Sequence, residues 1–518
     1  MLVKIGGEKM KEYYKTTNCL EYLENSARRF PDKTAFADEK DAVTFSQLMN
    51  ISMGIGSALK KYEMHKEPVV ILMDARHIPN LEAMLGILYA GCFYIPLDPS
   101  APVERLQMIF ENLDPSLVIY DEKASAAAAA LGDRYRFAQF DSLTDTQPDM
   151  EFLERVREES NFFDTLFIMY TSGSTGIPKG VLHTHGQLID YTEFTYRRYP
   201  FDENTVFGNQ SPFFYANCLL DIYPPLAVGA TVYILSASLL SFPRKMVDQL
   251  RQFRITELCM TPSSFNAVAD AGVLEPGCLP DLEFILPSGE MINGKVMKQW
   301  ESAAPKAGHF WNFYGSTELL SASLCKIDRD YGDDENVPSG IPYRCTHIIF
   351  ADDEGREVPR GQKGEMLIHN PWMFSGYYKD SARTEAAFVN DPLGKGYNEL
   401  FFKTGDMGYL NEKGELVVVG RKDNMIKHNG YRMELGEVEY AALGANGAQE
   451  CCCIHDKESG DIWLFYTGSI EEKELKSFIK GKLPKYAMPE KIVRLEKIPK
   501  NANVKADRQA LAKMIKEM

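Results

Sequence analysis

The sequence predicts an α/β fold: a large amino-terminal region of parallel sheets covered by helices, followed by a small α+β region. Short apolar runs such as Val69 to Met73 and Leu166 to Tyr170 have the length and composition of fully buried strands. Amphipathic patterns stand between such runs, for example Ile78 to Leu88, which Gly91 ends. Strands separated by helical patterns need crossover connections, and crossovers impose parallel pairing with helices on the sheet faces. At 518 residues, 45% hydrophobic and 25% charged, the chain has an ordinary globular composition and can fill about two to four domains.

In order along the chain, Cys19, Leu20, Tyr22 and Leu23 open a helix that Pro31 ends, and Thr34 to Phe36 begins a strand. Val43 to Leu48 leads into the next helix with Ser46 as its expected cap, and Ala126 to Ala130 is read as a surface helix because alanine is the best helix former. His183, His185 and Gln187 begin a helix, where residues two apart face different sides, which disfavours a metal pair. Near the end come a strand pair around Glu450 to Ile454 and Ile462 to Thr467, and a helix from Glu471 to Lys482. Cys451, Cys452 and Cys453 are read as small strand residues with free thiols, since adjacent cysteines cannot build a tetrahedral zinc site and no CxxC pair exists.

Composition excludes several functions. The net charge of −16 opposes a nucleic-acid backbone or an anionic membrane as partner. No run of 18 or more apolar residues appears, and the amino terminus lacks the apolar core of a signal peptide, so a cytoplasmic protein without membrane insertion is expected.

The chemistry begins where the run Leu166 to Tyr170 enters Thr171, Ser172, Gly173, Ser174, Thr175 and Gly176, with Lys179 following Pro178. Two glycines and no bulky side chain let backbone N–H groups converge on an anion, while hydroxyls and a lysine add mobile donors. A surface turn is the bland alternative, but the strand-first context favours a phosphate loop. The spacing of Gly173 and Gly176, and Gly180 in place of Ser or Thr, depart from a Walker A loop, which disfavours a GTPase or P-loop ATPase.

This stretch resembles the signature loop of the adenylate-forming superfamily of acyl-CoA synthetases, luciferases and nonribosomal peptide synthetase adenylation domains. Further landmarks occur in the expected order: Ala90 to Pro99, Phe284 to Glu290, Trp311 to Glu318, Phe402 to Tyr409, Gly420 to Glu439 and Pro499 to Leu511. The resemblance implies ATP and Mg²⁺ as cofactors, a small β-barrel-like subdomain in the large region, and a mobile carboxy-terminal lid. It places the boundary between residues 1–422 and 423–518, with Asp423 as the hinge. Nucleotide contacts are expected from Gly289, Glu290, Asn312, Tyr314, Gly315, Asp406 and Arg421, with Asp406 lying in a turn and accepting the ribose hydroxyls. Tyr314 offers a flat face to the purine, Thr317 a hydroxyl to the α-phosphate and Glu318 a hard carboxylate to Mg²⁺. Lys505 is the implied catalytic lysine, with Lys500 as fallback. Val504 stands where the family usually has glycine and resists a positive φ.

The implied reaction activates a carboxylic acid as an acyl-adenylate and transfers it to a thiol. The hinge motif and Asp221-Ile222-Tyr223-Pro224-Pro225 are similar to those of stand-alone adenylation enzymes such as D-alanine:carrier protein ligases. The expected acid pocket comprises Phe214, Ala216, Asn217, Leu220, Asp221, Leu286, Ser288, Phe313, Ser321 and Ala322. In those ligases an aspartate pairs with the substrate ammonium where this chain has Ala216, and a buried ammonium without a counter-charge costs several kcal/mol. An aryl, hydroxy, short acyl or β-amino acid is therefore expected ahead of D-alanine. No carrier domain follows Leu511, so a carrier protein acting in trans is the expected acceptor. The alternatives are coenzyme A or a catalytically silent nucleotide-binding homologue.

Overall fold

The computed structural model describes residues 16–172, 177–290, 292–327, 331–333, 337–396, 398–422, 425–428, 430–500 and 506–518. Two sheets dominate the large region. One has seven strands in the order Gly376–Tyr377, Lys179–Thr184, Thr165–Thr171, Phe93–Leu97, Pro68–Leu72, Leu117–Tyr120 and Phe137–Gln139. The other has nine, running from Ile341–Pro342 through His309–Tyr314, Phe284–Pro287, Glu257–Met260 and Val206–Asn209 to Ala42–Thr44. Their central pairs are parallel, as the alternation of strands and helices requires. Every residue of Pro68–Leu72, Phe93–Leu97 and Glu257–Met260 is buried, the mark of strands covered on both faces.

The helices Phe45–Leu59 and Ile78–Tyr89 pack against each other closely enough that a Cβ on Gly86 would fall 2.4 Å from Ile55. Phe45–Leu59 is capped by Thr44, not by Ser46. The Thr44 hydroxyl accepts from Gln47 N while the Gln47 side chain returns to Thr44 N, a reciprocal pair that fixes the start two residues earlier. His183 also differs from expectation. It lies within the strand Lys179–Thr184, and only His185 opens the helix, because Thr184 with Gln187 makes a second such cap.

A five-stranded antiparallel sheet, built around the long strand Leu400–Leu410, forms the third unit of the large region. It is the part expected as barrel-like, and its strands pair in an open order with no closing hydrogen bonds among the described residues. Asp406 lies within Leu400–Leu410 and not in a turn. The strand continues past Gly405, at φ 71°, by shifting register between Met407 and Gly408.

The last region holds a hairpin, Met425–His428 with Tyr431–Glu434, and a three-stranded sheet of Ala448–His455, Ile462–Gly468 and Lys491–Arg494. The helices Leu435–Leu443 and Glu472–Lys480 cover it, the second shorter than Glu471 to Lys482 because Gly481 ends it. Cys451, Cys452 and Cys453 lie on Ala448–His455. No described helix is long and apolar enough to cross a membrane, and no described group of His, Cys, Asp and Glu could hold a metal ion by itself.

Candidate active site

A cavity opens where the two large sheets, the antiparallel unit and the hairpin Met425–His428 with Tyr431–Glu434 meet. Thr171 and Ser172 reach it from the end of the strand Thr165–Thr171, and Gly315, Ser316, Thr317 and Glu318 from the turn that follows His309–Tyr314. Asp406 and Arg421 enter from adjacent antiparallel strands. Parallel strands ending together, with loops rising from their carboxyl ends, leave such a crevice by construction.

One end of the cavity is densely charged. The Glu318 carboxylate is fully buried and pairs with Arg432 at 2.5 Å and Lys179 at 3.3 Å, and it accepts from Tyr377 Oη at 3.0 Å. Lys179 Nζ also donates to Tyr377 Oη at 2.9 Å. Burial pushes the Glu318 pKa up, but Arg432 and Lys179 outweigh it and hold the carboxyl well below its usual range. Burial pulls Lys179 down to about 8, against the attraction of Glu318. The hairpin Met425–His428 with Tyr431–Glu434 is threaded into this end. Ser172 Oγ donates to Arg432 O at 3.1 Å, Tyr215 Oη to Gly430 O at 2.6 Å, and Gly430 N to Glu290 Oε1 at 2.9 Å. Lys427 also lines the cavity, and burial lowers its pKa while Asp406 raises it.

Both oxygens of Asp406 are engaged. Oδ2 accepts from Tyr314 Oη at 2.5 Å and Oδ1 from Arg421 Nη1 at 2.8 Å. Each oxygen keeps a second lone pair, so the rigid carboxylate can still accept from a diol. Burial, then the Asp406 charge, pushes the Tyr314 phenol well above its usual pKa and keeps it a donor.

The other end is neutral. Phe214, Ala216, Asn217, Leu220, Ser288 and Phe313 line it, with Tyr191 and Leu320. Ser288 Oγ donates to Asn217 Oδ1 at 3.2 Å. No carboxylate faces this end among the described residues.

Several expected residues lie elsewhere. Asn312 gives its amide to the carbonyls of Val337 and Pro338, and Tyr314 packs in the core with Val181 and Met366, so neither side chain lines the cavity. Glu290 accepts from Ser263 and Gly430 behind the wall, leaving Gly289 at the surface. Leu286 sits in the core, and the backbone of the Ser321–Ala322 turn takes bonds from Asn370, Trp372 and Tyr343 while Ser321 Oγ meets Tyr343 Oη. Asp221 is one step past Leu220 on the helix Cys218–Val228, and that rotation turns it away from the cavity to accept from Asn209 at 2.9 Å. Burial pushes both Asp221 and its neighbour Glu257 up, so neither offers a ready negative charge. His183 and His185 are buried separately, one against Thr317 O and the other accepting from Cys19 N. Lys500 pairs with Glu450 and does not line the cavity. Gly173, Ser174, Thr175, Gly176, Asp423, Val504 and Lys505 lie outside the described residues.

Sequence reasoning missed the side chains of Tyr215, Tyr377, Lys427, Tyr431, Arg432 and Tyr486. Lys427, Tyr431 and Arg432 stand inside the hinge motif itself, and their basic and aromatic character was the available signal.

Residues 23–378 match the AMP-binding enzyme family, and residues 437–505 match the AMP-binding enzyme C-terminal domain. The D-alanine–D-alanyl carrier protein ligase of Bacillus thuringiensis (strain Al Hakam) is 31% identical over 516 residues, covering 95% of this chain and 98% of the relative. The ligase of the same name from Bacillus velezensis is 29% identical, covering 96% and 99%. The adenylation domain AlmE of Vibrio cholerae, solved with glycyl-adenosine-5'-phosphate, superposes with a TM-score of 0.82 at 19% identity over 98% of this chain and 99% of that one, a likeness of fold. On this evidence the chain belongs to the AMP-binding enzyme family and is an ATP-dependent adenylate-forming ligase.

Proposed function

We propose that the protein activates a small carboxylic acid as its acyl-adenylate and passes the acyl group to the phosphopantetheine thiol of a carrier protein. The observation that carries this reading is the division of the cavity into one cationic, hydroxyl-rich end and one neutral end. In the first half, a substrate carboxylate oxygen bonds to the α-phosphorus of ATP while the bond to the bridging oxygen breaks, and pyrophosphate leaves with the electron pair. In the second, a thiol attacks the acyl carbon and AMP leaves. Both halves concentrate negative charge, so aligned cations and donors serve them better than a proton-shuttling base.

In this reading Thr171 and Ser172, the loop that follows them and Lys179 hold the departing pyrophosphate. Thr317 orients the α-phosphate, Asp406 and Arg421 hold the ribose, and the backbone at Gly289 and Gly315 borders the base. A buried, ionised Glu318 has the hard oxygen chemistry that Mg²⁺ would need to neutralise phosphate charge there, provided Arg432 and Lys179 release it. By resemblance, Lys505 bridges carboxylate and α-phosphate from a unit beginning at residue 423 that turns about Asp423.

The neutral lining favours an aryl, hydroxy, short acyl or β-amino acid, because an α-ammonium beside Ala216 finds no carboxylate. A second reading, D-alanine, is favoured by the full-length relatives named for that substrate, and they weigh more heavily than the lining of one pocket. Acid-dependent exchange of pyrophosphate into ATP, run over D-alanine, L-alanine, β-alanine, benzoate and short hydroxy acids, separates the two. Exchange with D-alanine alone selects the second reading, and no exchange with any acid indicates a silent homologue. Coenzyme A and a holo-carrier protein, offered in turn, identify the thiol.

A further inference from the structure

Lys179 opens the strand Lys179–Thr184, in register with Thr171 at the end of Thr165–Thr171. A lysine ammonium rides on a flexible stem, and holding its head in one place requires partners that fix it. Here the head is fixed. Lys179 Nζ donates to Tyr377 Oη at 2.9 Å, stands 3.3 Å from Glu318 Oε1, and lies 4.5 Å from the centre of the Tyr377 ring. Tyr377 Oη donates in turn to the same Glu318 oxygen at 3.0 Å, so ammonium, hydroxyl and carboxylate oxygen close a triangle. Arg432 takes the other oxygen, Oε2.

The direction of each bond is settled by chemistry. A lysine ammonium can only donate and an ionised carboxylate can only accept, so the hydroxyl is the one member able to do both. Burial, then the Glu318 charge, holds the Tyr377 phenol well above its usual pKa and keeps its proton in place. That proton is directed to Glu318, which leaves an oxygen lone pair for Lys179. The hydroxyl therefore shares the carboxylate with the lysine and limits how far Glu318 alone would draw the ammonium in.

Tyr377 is itself firmly placed. The short strand Gly376–Tyr377 pairs with Lys179–Thr184, setting Tyr377 opposite Val181, and Val181 shares a strand face with Lys179 two residues away. Tyr378 N donates to Gly180 O at 2.8 Å, and Tyr377 N to Thr384 Oγ1 at 2.9 Å. The ring packs against Phe374, with centroids 5.0 Å apart, in a core that also holds Phe402 and Met366. Phenylalanine would fill that space equally well. A buried hydroxyl costs free energy unless it is bonded, so the hydroxyl is the part of Tyr377 that core packing does not explain.

We propose that Tyr377 is a positioning residue whose hydroxyl holds the Lys179 ammonium at the phosphate end of the cavity, set to meet the β- and γ-phosphates of ATP. This inference deepens, and rests on, the assignment of Lys179 to the departing pyrophosphate given above. A cation held in place before the nucleotide arrives loses little freedom on binding it. Without the hydroxyl, Lys179 keeps Glu318 as its partner and meets the phosphates less well. AMP has no β- or γ-phosphate and should not register the change.

The test measures ATP and AMP binding to the full chain by calorimetry, with Mg²⁺ present and no acid added, in the wild type, Tyr377→Phe, Lys179→Met and the double variant. Tyr377→Phe keeps the ring and should weaken ATP about tenfold, the scale of a lost hydrogen bond to a charged group. AMP affinity should stay within about twofold of the parent, which also shows that the variant is folded. Lys179→Met should weaken ATP at least as much, and the double variant should bind ATP as Lys179→Met does, because a residue acting through another adds nothing once that other is gone. ATP affinity unchanged or tighter in Tyr377→Phe overturns the proposal. So does an equal loss of ATP and AMP, which marks a purely structural tyrosine, and so does a full extra loss in the double variant. If Lys179→Met itself leaves ATP binding unchanged, the assignment of Lys179 to the pyrophosphate fails, and the role of Tyr377 fails with it.

Discussion

Removing the guanidinium of Arg432, as in Arg432→Met, strands the Glu318 carboxylate. That carboxylate is fully buried, and Arg432 is its nearer cation, at 2.5 Å against 3.3 Å for Lys179. Breaking one side of a buried pair costs about 3–5 kcal/mol, and the surviving bonds from Lys179 and Tyr377 place this case near ~3 kcal/mol. Replacing both partners, as in Arg432→Met with Glu318→Gln, leaves no orphaned charge. The double variant should therefore lose less than the sum of the single losses, with a coupling of about 2 kcal/mol. Urea unfolding of the four proteins, followed on the transition of the large region, closes the cycle. Glu318 freed of Arg432 also becomes a better site for a hard cation. Mg²⁺ at ten times its dissociation constant should restore about 1.4 kcal/mol to Arg432→Met and less to the parent. A single-variant loss below about 1 kcal/mol with additive effects would refute the reasoning, since the pair would then be solvated and not buried.

Acid should unfold the protein early. His183 and His185 are buried, and desolvation, the largest cause for both, lowers each from 6.5 to about 4. The unfolded chain therefore takes protons first as pH falls below 6.5, and each histidine withdraws about 3 kcal/mol of stability by pH 4. His185→Gln should flatten that slope, and a stability constant between pH 6.5 and 4.5 would contradict the burial. Ala216→Asp should shift pyrophosphate exchange toward α-amino acids by supplying the missing counter-charge, and an unchanged acid profile would remove residue 216 from the pocket. Asp406→Asn loses the ionic partner of Arg421 and weakens its acceptance from Tyr314. AMP affinity, measured by calorimetry, should fall about 10- to 100-fold, equivalent to about 1.5–3 kcal/mol.

The sequence made legible what is local. A period of two or an apolar run identifies Thr165–Thr171 as a strand, and hydroxyls beside glycines identify what it leads into. Caps are nearly as local, but Thr44 displaces the expected Ser46, and Thr184 caps the later helix, each through a reciprocal bond with a glutamine, a detail finer than composition. The cavity itself is not local. Arg432 meets Glu318 across 114 residues, and Tyr215 meets Gly430 across 215, so neither contact leaves a pattern in any window. Asp221 shows the intermediate case. Its identity as a polar group near the pocket was readable, but its direction depended on the helical phase set by a start at Cys218.

The placement of Arg432 follows from the charge balance of the cavity. Lys179, Arg421, Lys427 and Arg432 bring four cations to the end where, among the described residues, Glu318 and Asp406 are the lining carboxylates. Burial first, and the neighbouring Arg432 charge after it, lower the pKa of Lys179 and Lys427, so these cations are held at a cost. It is relieved by an anion, and a triphosphate with a carboxylate supplies more negative charge than the excess requires. Glu318 is then contested, because a carboxylate saturated by Arg432, Lys179 and Tyr377 has little capacity left for Mg²⁺. Were Mg²⁺ held at Glu318, Arg432 would have to give up its bond to that carboxylate. Because Arg432 belongs to the hairpin that also gives Gly430 to Tyr215 and Glu290, its departure loosens that hairpin from the large region. Arg432 thus links the charge of the phosphate end to the seating of the hairpin Met425–His428 with Tyr431–Glu434 on the large region.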